Sequence, residues 1–175
     1  MTFEWQDHHF INRVPCLDLA NTVVWRNAPE KAEDRLGTGE QLERWANACK
    51  RFGGLAADWQ QRQSHRSILR IREAIDRYFR DGEGWPELVR LYAKSLADDG
   101  TELERAILHG ALKLALSDGS ARVKVCGNCG WLFVDRTRNQ NKRWCITALC
   151  GNRTKARRHY ALKRQRLFQG TKSQR

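Results

Sequence analysis

Through the first two-thirds of the chain, apolar residues recur at spacings of three and four, the pattern of helices with one buried face. In VPCLDLANTVV, Leu17, Asn21 and Val24 share a face, and Pro15 suits the first turn of a helix. Thr38 and Gln41 fit a capping box ahead of LERWANACKRFGG, which the Gly53-Gly54 pair stops. Across residues 55–80, Ile68, Ile71, Ile75 and Phe79 mark a further helix. Trp85-Pro86 opens another, with Leu88, Leu91 and Tyr92 turned inward. Thr101 and Glu104 form a second capping box. Beyond it, Leu103, Ile107, Ala111 and Leu114 give a helix apolar enough for a buried position, ended by Gly119.

From residue 123 the period changes. VKV and WLFV read as two short strands around a cysteine turn. A helix of about twenty residues follows Cys145 and reaches about Phe168. The predicted fold class is therefore mainly α. A helical domain, residues 1–121, precedes a small hairpin-plus-helix finger, residues 122–168, and a frayed tail, residues 169–175.

Charge sharpens this division. Residues 122–175 hold 15 Lys and Arg against one acid, Asp135, whereas residues 1–121 hold 17 Lys and Arg against 19 acids. A near-neutral unit joined to a strongly basic one fits a module that folds or senses and another that meets a polyanion. No apolar run is long enough for a membrane span, and the N-terminus lacks a secretory pattern, so a reducing cytoplasm is expected. There, clustered cysteines bind metal or react more often than they form disulfides.

Four of the six cysteines fall in one window: Cys126-x2-Cys129, fifteen residues, then Cys145-x4-Cys150. Two close pairs at this separation fit a structural site of four thiolates around one zinc ion. A redox Cys-x-x-Cys is the alternative, but the βαβ context it needs is absent. Four protein thiolates leave no open coordination position, so the metal is expected to be structural. Cys16 and Cys49 sit on apolar helical faces and read as small buried hydrophobes.

The basic segment that follows, CGNRTKARRHYALKRQR, sets Arg153, Arg157 and Arg164 near one helical face, with Arg158 on its flank. Leu149, Ala156, Tyr160 and Leu167 fall roughly on another, predicting one side packed on the finger and one positive. Lys155 adds to the charge of the helix. Arg136, Arg138, Asn139, Asn141, Lys142 and Arg143 form a polar, basic loop inside the finger. Arg and Lys neutralise phosphates, while Arg and Asn also reach base edges. Trp131, Phe133 and Trp144 read as finger core, leaving few exposed aromatics to stack on single strands, so duplex DNA is favoured over RNA.

In the first domain, Asp18, Asn21, Thr22, Trp25 and Arg26 place polar groups on or just after an apolar helix. They fit either a small-molecule pocket or a hydrogen-bonded clamp between helices, and the clamp is the simpler reading. His109, on a broadly apolar helix, reads as a satisfied core residue. No nucleophile–base spacing, phosphate loop or hydrolase motif is present, so no enzymatic activity is expected.

The stretch CGWLFVDRTRNQNKRWCITALCGNRTKARRHY closely resembles the CGNR zinc finger, named for the run matched by Cys150, Gly151, Asn152 and Arg153. CLDLANTVVWR, residues 16–26, resembles the opening of the ABATE domain, the usual N-terminal partner of that finger in bacterial proteins. Ile146-Thr147 replaces a Ser-Met common in the family, at positions that bind no metal. The resemblance implies Cys126, Cys129, Cys145 and Cys150 as ligands of one zinc ion. It also implies a stress-linked transcription regulator whose finger meets DNA while the helical domain senses a small effector or dimerises. Within the finger, Asp135 is expected in an internal salt bridge or cap, with Arg153 as one candidate partner, and Asn152 at the helix start. Two other classes remain: an RNA-binding or ribosome-associated zinc protein, and an adaptor whose basic helix docks an acidic partner.

Overall fold

The computed structural model describes residues 3–56, 65–97 and 100–172, with side chains through residue 165. Six α-helices and two small antiparallel hairpins make up the regular structure among these residues. Helix α1 (Pro15–Ala20) is short, and Cys16 to Ala20 are all buried. It lies at the centre because other elements cover it on several sides: α3 (His65–Asp81), α5 (Glu102–Ala115) and the finger strand β4 (Leu132–Val134) all pack on it. Helix α4 (Trp85–Ala97) packs on α3 and α5. After α1 the chain forms strand β1 (Val23–Val24), which pairs with β2 (Glu33–Asp34) in the register Val23 to Asp34.

Both predicted capping boxes form. At α2 (Gly39–Ala48) the Gln41 N–H donates to Thr38 Oγ1 at 3.2 Å, and the Thr38 N–H donates to Gln41 Oε1 at 3.0 Å. Thr101 and Glu104 do the same at α5. Helix α2 leaves through a wide turn, Cys49–Gly53, and the chain reverses at Gly54, whose φ of +78° favours glycine. The helix predicted over 55–80 runs from His65; residues 57–64 of that prediction lie outside the described residues.

Strand β3 (Val123–Val125) pairs with β4 in the register Val123 to Val134 and Val125 to Leu132. The two-residue alternation of β4 decides how the molecule is assembled. Leu132 joins the helical core, with Val134 packed against it, while Phe133 points into a second cluster around the four cysteines. Val24 enters that second cluster as well, flanked by Ile11 and Trp25. Each segment thus supplies apolar side chains to the core of the other. Burying Leu132 contributes roughly 1.5–3 kcal/mol to this join.

A wide turn, Thr147–Gly151, leads into α6 (Asn152–Lys172). Two expectations change here. The helix continues over residues 169–172, which had been expected to fray; residues 173–175 lie outside the described residues. Three positions of the apolar face predicted to pack on the finger do not: Leu149 is 48% exposed, Tyr160 is 70% exposed, and Ala156 is exposed too, while the Leu167 side chain lies outside the described residues. Apolar positions on this helix are too few and too scattered among cations to form a stripe, so α6 leaves the body instead of lying on it. His109 is likewise exposed, its Nδ1 within 3.3 Å of the Tyr92 hydroxyl, because α5 turns that position outward.

Candidate metal centre and nucleic-acid interface

Cys126 directly follows β3, and its N–H donates to the Trp131 carbonyl at 2.8 Å. The turn between them closes at Gly130 with a φ of +76°; a Cβ there would sit 2.8 Å from Asn27 Oδ1. This tight return aims Cys126 and Cys129 together. The wide turn brings Cys145 and Cys150 to the same point, with Trp144 packed between Gly127 and Gly151. All four sulfurs lie within 4.8 Å of one another and all four residues are buried. Cys145 Sγ is 3.6 Å from both Cys129 Sγ and Cys150 Sγ. A tetrahedral zinc site with bonds of about 2.3 Å requires sulfurs about 3.8 Å apart, so these residues fit the ion.

The electrostatics agree. Hydrogen bonds from Cys129 and Cys145 pull the Cys126 thiol well below its ordinary value. Those same bonds, with burial, push Cys129 up to about 12 and Cys145 higher still. A divalent cation supplies the positive charge that stabilises clustered thiolates. The Asn128 amide donates to Cys150 Sγ at 3.4 Å.

Around the centre runs a frame that ties it to the helical unit. The Trp25 N–H donates to the Cys129 carbonyl at 3.0 Å, with Trp25 held at a φ of +62°. Arg80 reaches from α3 to the Gly130 carbonyl at 2.9 Å while pairing with Asp76 at 2.7 Å. The Asn21 side chain completes the ladder of β4: its amide donates to the Leu132 carbonyl at 2.9 Å, and its oxygen accepts the Leu132 N–H at 2.7 Å. Asn12 does the same one step along, donating to the Leu132 carbonyl at 3.1 Å and accepting the Val134 N–H at 3.0 Å. Asp18 orients Asn12 by accepting from its backbone and side-chain N–H, and it also accepts the Val14 N–H. Burial pushes the Asp18 carboxyl up to about 7 against these bonds.

Of the remaining polar residues singled out in this region, Thr22 is buried, donating to the Leu19 carbonyl and accepting from Arg72 at 3.3 Å. Arg26 makes a two-point contact with Glu73 at 2.8 and 3.0 Å. Asp18, Asn21 and Thr22 thus face protein groups. Trp25 lines an open cleft of about 210 Å³ between the helical unit and the metal centre, with Arg35 and Arg153 at its wall. Sequence reasoning did not single out Asn12, Arg72, Glu73, Asp76 or Arg80.

The basic loop is organised from inside. Asp135 is fully buried, and Lys124 Nζ lies 2.8 Å from its Oδ2. Burial opposes ionisation of this carboxyl. Lys124, the Thr137 hydroxyl and N–H, and the Lys142 N–H overcome that and hold it well below the usual carboxylate range. The partner of Asp135 is thus Lys124 and not Arg153. With the loop pinned this way, Arg138, Asn139, Asn141 and Arg143 point to solvent, and Lys142 is half-buried over Phe133. On α6, Arg153, Lys155, Arg157, Arg158 and Arg164 are exposed. Among the described residues, Arg157 alone of these five hydrogen-bonds another side chain, Asn128 Oδ1.

A helical unit locked onto a four-cysteine finger, from which a cationic helix projects, defines a protein built around a structural metal centre. Two family models match the chain in that order. One, ABATE, is described as a putative stress-induced transcription regulator and covers residues 13–124. The other, the CGNR zinc finger, covers residues 122–163. The chain belongs to the ABATE family, with a CGNR zinc finger as its C-terminal part. No curated protein and no solved structure matches it. Cys126, Cys129, Cys145 and Cys150 bind one zinc ion. Neither family description is that of an enzyme. Among the described residues, no helix is long and apolar enough to cross a membrane.

Proposed function

We propose that this protein is a zinc-dependent transcription regulator that binds duplex DNA through α6 and the loop over residues 136–143. The observation that carries this reading is the exposure of α6. A helix of 21 residues, about 30 Å long, projects from the metal centre with its cations from Arg153 to Arg164 in solvent. Such a rod fits a major groove about 12 Å wide. Arg153, Lys155, Arg158 and Arg164 contact phosphates or base edges, and Arg138, Asn139, Asn141, Lys142 and Arg143 extend the footprint from the loop. Zinc supplies folding free energy and a fixed root for the helix. The helical unit, residues 1–121, carries the regulatory or dimerising role, and the protein works at the nucleoid.

The test is selection from a random duplex-DNA pool by the intact, zinc-loaded protein at near-physiological salt. A recovered motif is expected, and two-fold symmetry in it identifies a homodimer reading two half-sites. No enrichment at full zinc content overturns the proposal, and binding to structured RNA or to an acidic protein under the same conditions then identifies the partner.

A further inference from the structure

We infer that Asn128 is a positioning residue that fixes the direction of α6 relative to the metal centre, and that Arg157 is its strut and not a phosphate contact. The inference rests on the DNA-binding reading only for its functional consequence.

Asn128 sits in the turn between the first two zinc ligands and is 3% exposed. Its amide faces two groups that cannot exchange roles. A guanidinium only donates, so the Arg157 side must meet Oδ1; a thiolate only accepts, so the Cys150 side must meet Nδ2. One side chain therefore bonds a metal ligand with its donor and the helix with its acceptor. Cys150 lies two residues before α6 in the chain, so covalent attachment fixes where the helix begins. Attachment at one end leaves its direction free.

The other side chains of α6 do little to set that direction. Thr154 bonds back to the Cys150 carbonyl at 3.0 Å, within the first turn. Among the described residues, Arg157 to Asn128 is the one side-chain hydrogen bond or ion pair that joins α6 to the body beyond that turn. It lies at the start of the helix's second turn, where a small angular error grows along about 30 Å of rod. A groove-reading helix needs its direction held before contact, since orientation lost on binding weakens the complex. Arg157 was grouped by sequence with the phosphate contacts because of its charge. Its bond to Asn128 separates it from Arg158 and Arg164, which have no protein partner among the described residues.

The test compares Asn128→Ala, Asn128→Asp, Arg157→Ala and Arg158→Ala in the full zinc-loaded chain, at one zinc per molecule. Residual dipolar couplings of α6 amides, measured without DNA, are expected to fit one orientation together with α3 and α5 in the parent. They are expected to shrink in Asn128→Ala and Arg157→Ala. Asn128→Asp keeps the acceptor for Arg157 and loses the donor, so it should retain the couplings while shifting the sulfur-to-metal absorption of the Co²⁺-substituted protein. On duplex DNA, Asn128→Ala and Arg157→Ala should each weaken binding about tenfold, the scale of one charge-assisted hydrogen bond, and the double variant no further. Their salt slope should match the parent, whereas Arg158→Ala should lower it by about 0.9.

Unchanged couplings in Arg157→Ala overturn the inference, as does a reduced salt slope in Arg157→Ala with Asn128→Ala binding like the parent. If Asn128→Ala fails to hold zinc, Arg157→Ala, exposed and itself bonded to no ligand, still decides. If the parent binds no duplex DNA, the proposed function fails while the couplings still decide whether Asn128 holds the helix.

Discussion

Asn21 acts as a strand neighbour made from one side chain. It supplies both a donor and an acceptor to Leu132, which no neighbouring strand pairs on that edge. Asn21→Ala should cost about 1–3 kcal/mol, because the Leu132 N–H is then buried without a partner; denaturant melts measure it, and an unchanged midpoint would refute the pairing. Two carboxyls give opposite pH signatures. Asp135 is depressed in the folded state, so its stabilisation is complete above the unfolded value of about 4 and is lost as pH falls through the folded value. Asp18 is raised to about 7. Between about 4 and 7 the folded state holds the extra proton, so stability falls as pH rises through that window. Asp18 therefore predicts a loss of stability from pH 5 to pH 8, and a flat profile across that range would show that its proton is not retained on folding.

At the level of elements, α6 shows what a helix does when it has charge but no stripe. Its cations repel one another and a second copy of themselves, so α6 is a poor self-association surface until a polyanion neutralises it. Arg164→Ala is expected to weaken binding to all duplex sequences alike and to lower the salt slope by about 0.9, as a phosphate contact does. A loss confined to one sequence would make it a base contact instead. The capping boxes at Thr38 and Thr101 were legible because every group involved lies within four residues. The exposure of α6 was not, since a weak apolar face gains burial only if some other surface meets it.

For the whole molecule, the interlocked cores change what zinc removal should do. The sequence presents a finger that could be lost separately. The structure places Leu132 in the helical core and Val24 in the metal cluster. Chelating zinc frees β4, which leaves Asn12 and Asn21 buried without their strand partners and opens the core around α1. One cooperative transition at lower temperature is expected in a calorimetric scan of the zinc-free protein. Two transitions, with the helical one unmoved, would show independent folding. Leu132→Ala makes the same point from the finger side: roughly 2–5 kcal/mol of destabilisation with zinc content unchanged.

The sequence by itself determined the helices, their caps, the four zinc ligands and the charge of the last third. Each rests on residues close together in the chain: periods of three and four, reciprocal caps, paired cysteines. Tertiary structure decided the rest. Asn12 and Asn21 find Leu132 across 120 and 111 residues, and Asn128 meets Arg157 across 29. No local spacing encodes those meetings. Asparagine and arginine suit a turn, a clamp or a polyanion equally well until the fold supplies their neighbours. Which of these roles each takes is settled when burial removes water as the alternative partner.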